Sequence, residues 1–589
     1  MLQHLSPYDQ AVRFLRMLSN AVLAGAVAAA YVAALVLHLN PQLRVDDPAV
    51  WPLLAAVLLV YGVHLAVAFY AAIVARQILS TEGVSPGWLS YRLLAWFCAA
   101  ASTAAAALMW QNLWGFGAAL DPETTRRFFV AAVTMTACAV ACVVLGLFRL
   151  WATHPSRLAA AAFGLVILGS LALPLVARGF GDTRPLGARR LEISPVFAPE
   201  TADRRVVLLA VDAASLDFIS PAVADGRLPN FGRLLDGGAS MHLATLRPTQ
   251  PGPVWTAVAT GKLPWRNGVR SAATYRAVAG GAAVDLLPDF CFAHALVSFG
   301  LLSESLQTSA ALRAQPLWTI LGRAGVPSTI VRWPLTWPAQ PLPGTVISDE
   351  FHRASEIALA LDEPGLTYPT ELASRLARVG RPSVNAVPQA VEPEHEAVGA
   401  TPHALDRFYV SLADALTAEA PARFTALRLQ GLDTVGHYFL RYAMPQAFGD
   451  VSEEERGRYG RVFEQYYAYV DAELGRLLEG LRPGDLLLVV SPFGLEPLSL
   501  PKRLLERTLG NPNISGTHER APDGFLLAYG TAVKPGRYPR GSVVDVAPTL
   551  LYYYGLPIGR DMDGFARADI FTTAFSGERP IAYIPTYER

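Results

Sequence analysis

The sequence predicts two structural classes in one chain: an N-terminal all-α bundle of about five transmembrane helices, then an α/β domain with a mainly parallel central sheet. Three observations predict this. At 589 residues the chain exceeds what a single hydrophobic core serves, so at least two units are expected. Hydrophobic residues are 52% and charged residues only 17% of the total, a lean toward membrane protein that is concentrated in the first third. Beyond Arg205 the texture changes to short apolar runs alternating with helical patterns.

The helices come first. No Asp, Glu, Lys or Arg lies between Arg16 and Arg44, Asp47 and Arg76, Arg92 and Asp121, Arg127 and Arg149, or Arg157 and Arg178. Each gap holds a bilayer-spanning helix of roughly 20 residues, which places spans at 17–43, 48–75, 93–115, 128–148 and 158–177 in a membrane region 1–178. A cleavable signal peptide accounts for the first run only, because four more follow. Arg13, Arg16, Arg76, Arg92, Arg149 and Arg157 fall on one side of the spans. The opposite loops carry Arg44, Arg126 and Arg127 beside Asp46, Asp47, Asp121 and Glu123. That bias puts the N-terminus in the cytoplasm and, after five crossings, the C-terminal domain in the periplasm or outside the cell. His64, inside the second span, reads as a neutral imidazole bonded within the bundle, and no acidic residue interrupts a span, which argues against a proton-coupled transporter. The bundle reads as an anchor in the lipid bilayer or a platform for a lipid substrate.

Residues 179–205 are rich in Gly, Pro and Arg and read as a linker. The α/β domain occupies 206–575. Val206 to Val211 is a short apolar run ending at Asp212, the pattern of a buried parallel strand. Leu486 to Val490 and Phe424 to Leu429 repeat it, with helical patterns at Asn230 to Leu235 and Arg458 to Leu481 between. Such alternation implies a mainly parallel sheet, whose functional groups gather at the carboxyl ends of strands. Residues 274–400 read as a substrate-facing cap. Net charge is zero without any Lys/Arg cluster, so nucleic acid is excluded as a partner. Cys98, Cys138 and Cys142 sit in apolar runs and Cys291 is the sole cysteine beyond them, so a disulfide framework is excluded there.

Groups with metal-ligand chemistry follow the strands. Asp212 closes the first, Asp433 and His437 follow the third, and His518 stands in Gly516-Thr517-His518-Glu519. A four-residue spacing puts Asp433 and His437 on one helical face. Two histidines, one carboxylate and an open position make a catalytic zinc site.

Several segments, in order, resemble the type I phosphodiesterase and nucleotide pyrophosphatase branch of the alkaline phosphatase superfamily. They are Val206 to Asp212; Leu228-Pro229-Asn230-Phe231; Pro248-Thr249 through Trp255-Thr256 to Thr260-Gly261, then Pro264 and Gly268; Pro316-Leu317-Trp318; and Trp333 to Pro338. Leu432-Asp433 with Gly436-His437, Gly516-Thr517-His518, and Asp545 to Leu550 with Met562-Asp563-Gly564 complete the set. The resemblance covers about residues 205 to 570 and implies an alkaline-phosphatase-like domain. It also implies two metal ions, usually zinc, around a Thr or Ser nucleophile, one of them held by Asp433, His437 and His518.

The second metal takes the opening carboxylate, here Asp212, the nucleophile oxygen and an Asp-His pair. At the nucleophile position stands Pro251; the Ser-Asp-His-Gly of the family reads Ser491-Pro492-Phe493-Gly494; and a family His is Asn267. None of these replacements offers the expected ligand, which leaves Asp212 as the remnant of that site. The departures allow two readings. In one, the chain is a metal-dependent phosphoric ester hydrolase or transferase with a single zinc or manganese ion, water attacking phosphorus without a covalent phosphoenzyme. As an alternative to direct attack by water, Thr249 and Thr256 read as substitute nucleophiles, or else as turn and cap residues, and Glu496 is a replacement ligand or a solvated loop residue. In the other, it is a pseudoenzyme that binds a phosphorylated lipid, glycan or protein. Asp217 and Asp545 suit helix entry rather than catalysis. The layout of five spans before an external domain is similar to phosphoethanolamine transferases and lipoteichoic acid synthases, which suggests a lipid-linked phosphate ester as ligand; the ligand motifs match the phosphodiesterase branch instead, and a soluble nucleotide is the alternative.

Overall fold

The computed structural model describes residues 7–79, 86–151, 157–181, 204–289, 293–355, 358–359, 361–377 and 395–588. Cys291, most of the expected linker and residues 378–394 of the expected cap lie outside the described residues. Two compact units form, one from residues 1–187 with 273–306, the other from 188–272 with 307–589.

In the first unit five helices run over Pro7–Leu39 (α1), Trp51–Leu79 (α2), Tyr91–Gly115 (α3), Pro122–Trp151 (α4) and Arg157–Arg178 (α5). All five are long and apolar enough to cross a membrane. Their long apolar stretches lie between charged ends, and a helix makes its backbone hydrogen bonds internally, so such segments suit a medium that offers none. Small residues let helices approach: a Cβ on Gly25 would meet the backbone of Gly62 and Ala66 at 2.7 Å, so α1 and α2 touch main chain to main chain there. Arg178, ending α5, donates to the Leu37 carbonyl in the last turn of α1 at 2.7 Å and to the Asn40 carbonyl just beyond it at 3.1 Å, so a cation meets the C-terminal end of α1. His64 is exposed on α2, its Nδ1 2.7 Å from the Val60 carbonyl and its ring stacked on Phe299.

The same unit holds a three-stranded antiparallel sheet in the order 283–284, Ala273–Ala277, Leu302–Leu306. Two asparagines fasten its segment to the helices. The Asn40 amide donates to the Leu286 carbonyl at 2.7 Å and accepts from the N–H groups of Asp285 and Leu286, both at 3.2 Å. Asn112 pairs with both backbone groups of Asp289 in the same way. The range expected as one cap, 274–400, is therefore divided, with 274–306 in the helical unit and the remainder in the other.

The second unit is built on a ten-stranded sheet. Its main strands are Val206–Val211 (β1), Ala239–Ala244 (β2), Ser328–Val331 (β3), Gly344–Ile347 (β4), Thr367–Tyr368 (β5), Phe424–Leu429 (β6), Leu486–Phe493 (β7) and Asp523–Gly530 (β8). From Gly536–Arg537 at one edge the order runs β2, β8, β7, β1, β6, β3, β4, β5, with Gly541–Ser542 also pairing β2. β7, β1, β6, β3 and β4 are mutually parallel, β8 runs antiparallel to both β7 and β2, and β5 runs antiparallel to β4. The strands β1, β6 and β7 are buried along nearly their whole length, as expected of parallel strands covered on both faces. Helices Pro251–Thr260 (α6), Gly431–Ala443 (α7) and Val462–Glu479 (α8) flank the strand ends.

Candidate metal centre

β6 delivers its chain into α7, whose first turn carries Asp433 and whose second carries His437. The i, i+4 spacing aims both side chains the same way, with His437 Nε2 3.6 Å from Asp433 Oδ1. His518 arrives from the other side, just after the short strand Gly516–Thr517, which pairs with Glu496–Pro497. The donor atoms of Asp433, His437 and His518 all lie within 4.8 Å of one another. In a tetrahedral zinc site with bonds of about 2.0–2.1 Å, donors sit about 3.4 Å apart, so only small adjustments separate this cluster from a coordinating set.

Hydrogen bonds fix the tautomers. His437 Nδ1 lies 2.8 Å from the Gly516 carbonyl and His518 Nδ1 lies 2.9 Å from the Thr249 carbonyl. A carbonyl only accepts, so each Nδ1 carries the proton and each Nε2 presents a lone pair, the arrangement by which metal-ligating histidines are oriented. Burial pushes the His518 pKa below the ordinary histidine value, which keeps the ring in its neutral, ligating form. Among the described residues, Asp433 Oδ1 is buried without any hydrogen-bond partner. A carboxylate oxygen in that state calls for a cation. A buried orphan oxygen, two neutral imidazoles with donor atoms within 4.8 Å of it, and the donor types together fit one divalent ion at Asp433, His437 and His518.

The other expected ligands do not join this cluster. Asp212, fully buried, accepts from Arg428 Nε at 2.9 Å on Oδ1, from Arg428 Nη2 on Oδ2 and from the Trp255 indole at 2.8 Å on Oδ1. Pro251 opens α6 at the first helical position, where proline's missing N–H costs nothing. Pro492 and Phe493 continue β7, and the Phe493 ring packs 5.1 Å from that of His518. Asn267 is knitted into its own turn, donating to the Lys262 carbonyl and accepting from the Val269 N–H, both at 2.9 Å.

The two threonines are buried, and their hydroxyls donate to carbonyls, Thr249 to Leu246 and Thr256 to Gly252, both at 2.8 Å. Glu496 accepts the Arg520 N–H at 3.1 Å. Asp545 caps the turn at Ser542 and accepts from Phe565, while the Ser215 hydroxyl accepts the Asp217 N–H, so both serve helix entry. Arg428 went unnoticed in the sequence, although a charged residue inside the apolar run Phe424–Leu429 is itself a signal that a buried counter-charge waits nearby.

The fold is thus an α/β sheet with a two-histidine, one-carboxylate cluster placed after its strand β6. The chain belongs to the type I phosphodiesterase/nucleotide pyrophosphatase family, whose sequence profile it matches over residues 206–536. Among solved structures it is similar to murine ectonucleotide pyrophosphatase/phosphodiesterase 5, at 12% identity and a TM-score of 0.38 over 63% of this chain and 100% of that one. The human counterpart aligns at 13% identity and a TM-score of 0.36, again over 63% and 100% of the two chains. Phosphonoacetate hydrolase from Sinorhizobium meliloti 1021, in complex with phosphonoformate, aligns at 17% identity and a TM-score of 0.32 over 52% of this chain and 62% of its own. A search of the curated proteins finds no match.

Proposed function

We propose that this chain is a membrane-anchored phosphoric ester hydrolase or transferase with a degenerate active site, working with a single zinc or manganese ion held by Asp433, His437 and His518. The observation that carries the reading is the convergence of two pre-oriented imidazoles on a buried carboxylate oxygen that has no other partner. Family membership supplies the reaction class. A bound ion there supplies Lewis-acid stabilisation of the phosphoryl oxygens.

The chain's own groups do the remaining work. The carbonyls of Gly516 and Thr249 hold the two rings, and Phe493 keeps water from one side of His518. Pro251 offers no hydroxyl to take up the phosphoryl group, and the hydroxyls of Thr249 and Thr256 are engaged with carbonyls. Direct attack by water is the course this favours. Five apolar helices favour a lipid-linked phosphodiester over a soluble nucleotide, and the basic bias of the loops favours a cytoplasmic N-terminus. Pro251 also favours a second reading, a pseudoenzyme that binds a phosphorylated ligand without turning it over.

The test is metal content per chain of the full-length protein in detergent, by plasma mass spectrometry, with His518→Ala as control and bis(p-nitrophenyl) phosphate as reporter substrate. One ion per chain, lost in the variant together with hydrolysis, is the expected result. An ion without hydrolysis selects the binding reading. No ion in either protein sinks the metal-centred proposal.

A further inference from the structure

Asp212 is a carboxylate with no exposed surface, and an uncompensated charge in that position is strongly destabilising. What compensates it comes from the chain itself. Arg428, from the adjacent parallel strand, presents two N–H groups to the two carboxylate oxygens, and the Trp255 indole adds a third donor. The guanidinium is nearly as buried as its partner. Burial works against its charge, but Asp212, Asp349 and Asp433 more than offset that and hold its pKa above the ordinary arginine value. Around this pair the positions that would supply further metal ligands are a proline and a phenylalanine, Pro492 and Phe493, and the nearby helix opens with Pro251 rather than a hydroxyl residue.

The residues present therefore do not fit a second metal ion. We propose that Arg428 is a resident cation that takes the second metal's place: it neutralises Asp212 permanently and shuts that site to divalent ions. Its forked geometry suits the role, because a guanidinium matches both oxygens of one carboxylate and cannot dissociate from the chain as an ion can. This concerns the Asp212 side alone and does not depend on whether Asp433, His437 and His518 carry a metal.

The test restores the missing ligands with and without Arg428 in the full-length protein, counting zinc per chain after equilibration and desalting. Pro492→Asp/Phe493→His with Arg428 kept is expected to hold no more zinc than the parent. Adding Arg428→Leu is expected to raise the count by one, and adding Asp212→Asn to that variant is expected to remove the gain. An extra ion with Arg428 in place, or none once it is removed, overturns the proposal. The differences between variants are read whatever the parent's own count, so failure here is separate from failure at Asp433.

Thermal melting of Pro492→Asp/Phe493→His/Arg428→Leu gives a second readout that survives poor folding. Zinc is expected to raise its Tm by several degrees more than that of Pro492→Asp/Phe493→His, an excess absent once Asp212→Asn is added. Equal shifts overturn the proposal. If the triple variant is isolated unfolded, recovery of folded protein by refolding in zinc supports it and no recovery overturns it.

Discussion

Single side chains in this site act mainly through what they leave unpaired. Asp433 has one buried oxygen without a partner, so Asp433→Asn removes no hydrogen bond at that atom but does remove the charge a divalent ion requires. The expected outcome is a melting temperature close to the parent's with zinc affinity reduced at least tenfold, measured by titration calorimetry. Trp255 shows the opposite balance. Its indole donates to an ionised, fully buried carboxylate, and hydrogen bonds to charged groups contribute about 1.5–3 kcal/mol. Trp255→Phe keeps most of the ring's packing and is expected to lower unfolding free energy by about that amount, as read from denaturant melts. At this scale the sequence displayed Asp433, His437 and His518 through their spacing and motifs. It did not display Arg428, because an arginine in a strand declares its partner only when the neighbouring strand is known, and Asp212 lies 216 positions earlier.

Elements carry the next level of control, since each histidine is aimed by backbone from a different segment. The strand at Gly516 lies so close to α7 that a Cβ on Gly516 would come within 2.5 Å of the Gly436 carbonyl. That approach is what lets the Gly516 carbonyl reach His437 Nδ1. Gly516→Ala is therefore expected to push the strand off the helix and loosen His437, lowering metal affinity about 10- to 100-fold, the range found when groups supporting a metal ligand are lost. An affinity equal to the parent's would show that the carbonyl contact does not orient the ring. The strand Val206–Val211 was legible residue for residue as a continuous apolar run between Arg205 and Asp212, and Phe424–Leu429 as a short apolar run interrupted by Thr425 and Arg428. β7 runs on to Phe493, beyond the apolar run at Leu486 to Val490, because β8 pairs with it as far as Phe493 opposite Asp523, a tertiary fact that no local pattern contains. The helical pattern at Arg458 to Leu481 spans two helices, Glu453–Tyr459 and Val462–Glu479, the first opened by a Ser452/Glu455 capping box.

At the scale of the whole molecule, the segment 273–306 decides how the chain can be divided. It leaves the α/β unit and returns at nearly the same point, since the Gln307 N–H donates to the Ala272 carbonyl at 2.9 Å and Ala273 stands opposite Leu306. Between those ends, Tyr275, Val284, Leu287, Leu296 and Leu302 are buried in one cluster with Val32, Val36, Leu53 and Val57 of α1 and α2. Periodicity could not announce this, because an apolar strand face reads the same whether a helix of its own domain or a distant one covers it. A protein truncated to begin near Arg205 keeps the segment but loses its cover, and exposing such a contiguous apolar surface promotes association. Size-exclusion chromatography is therefore expected to find that truncation aggregated. Replacing 273–306 with a short Gly-Ser bridge from Ala272 to Gln307 is expected to yield a monodisperse domain that keeps Asp433, His437 and His518 together, because the ends already meet and the sheet of that unit runs without the segment. Equal behaviour of the two truncations would mean that the segment builds a core of its own, and the helices would then be dispensable to it.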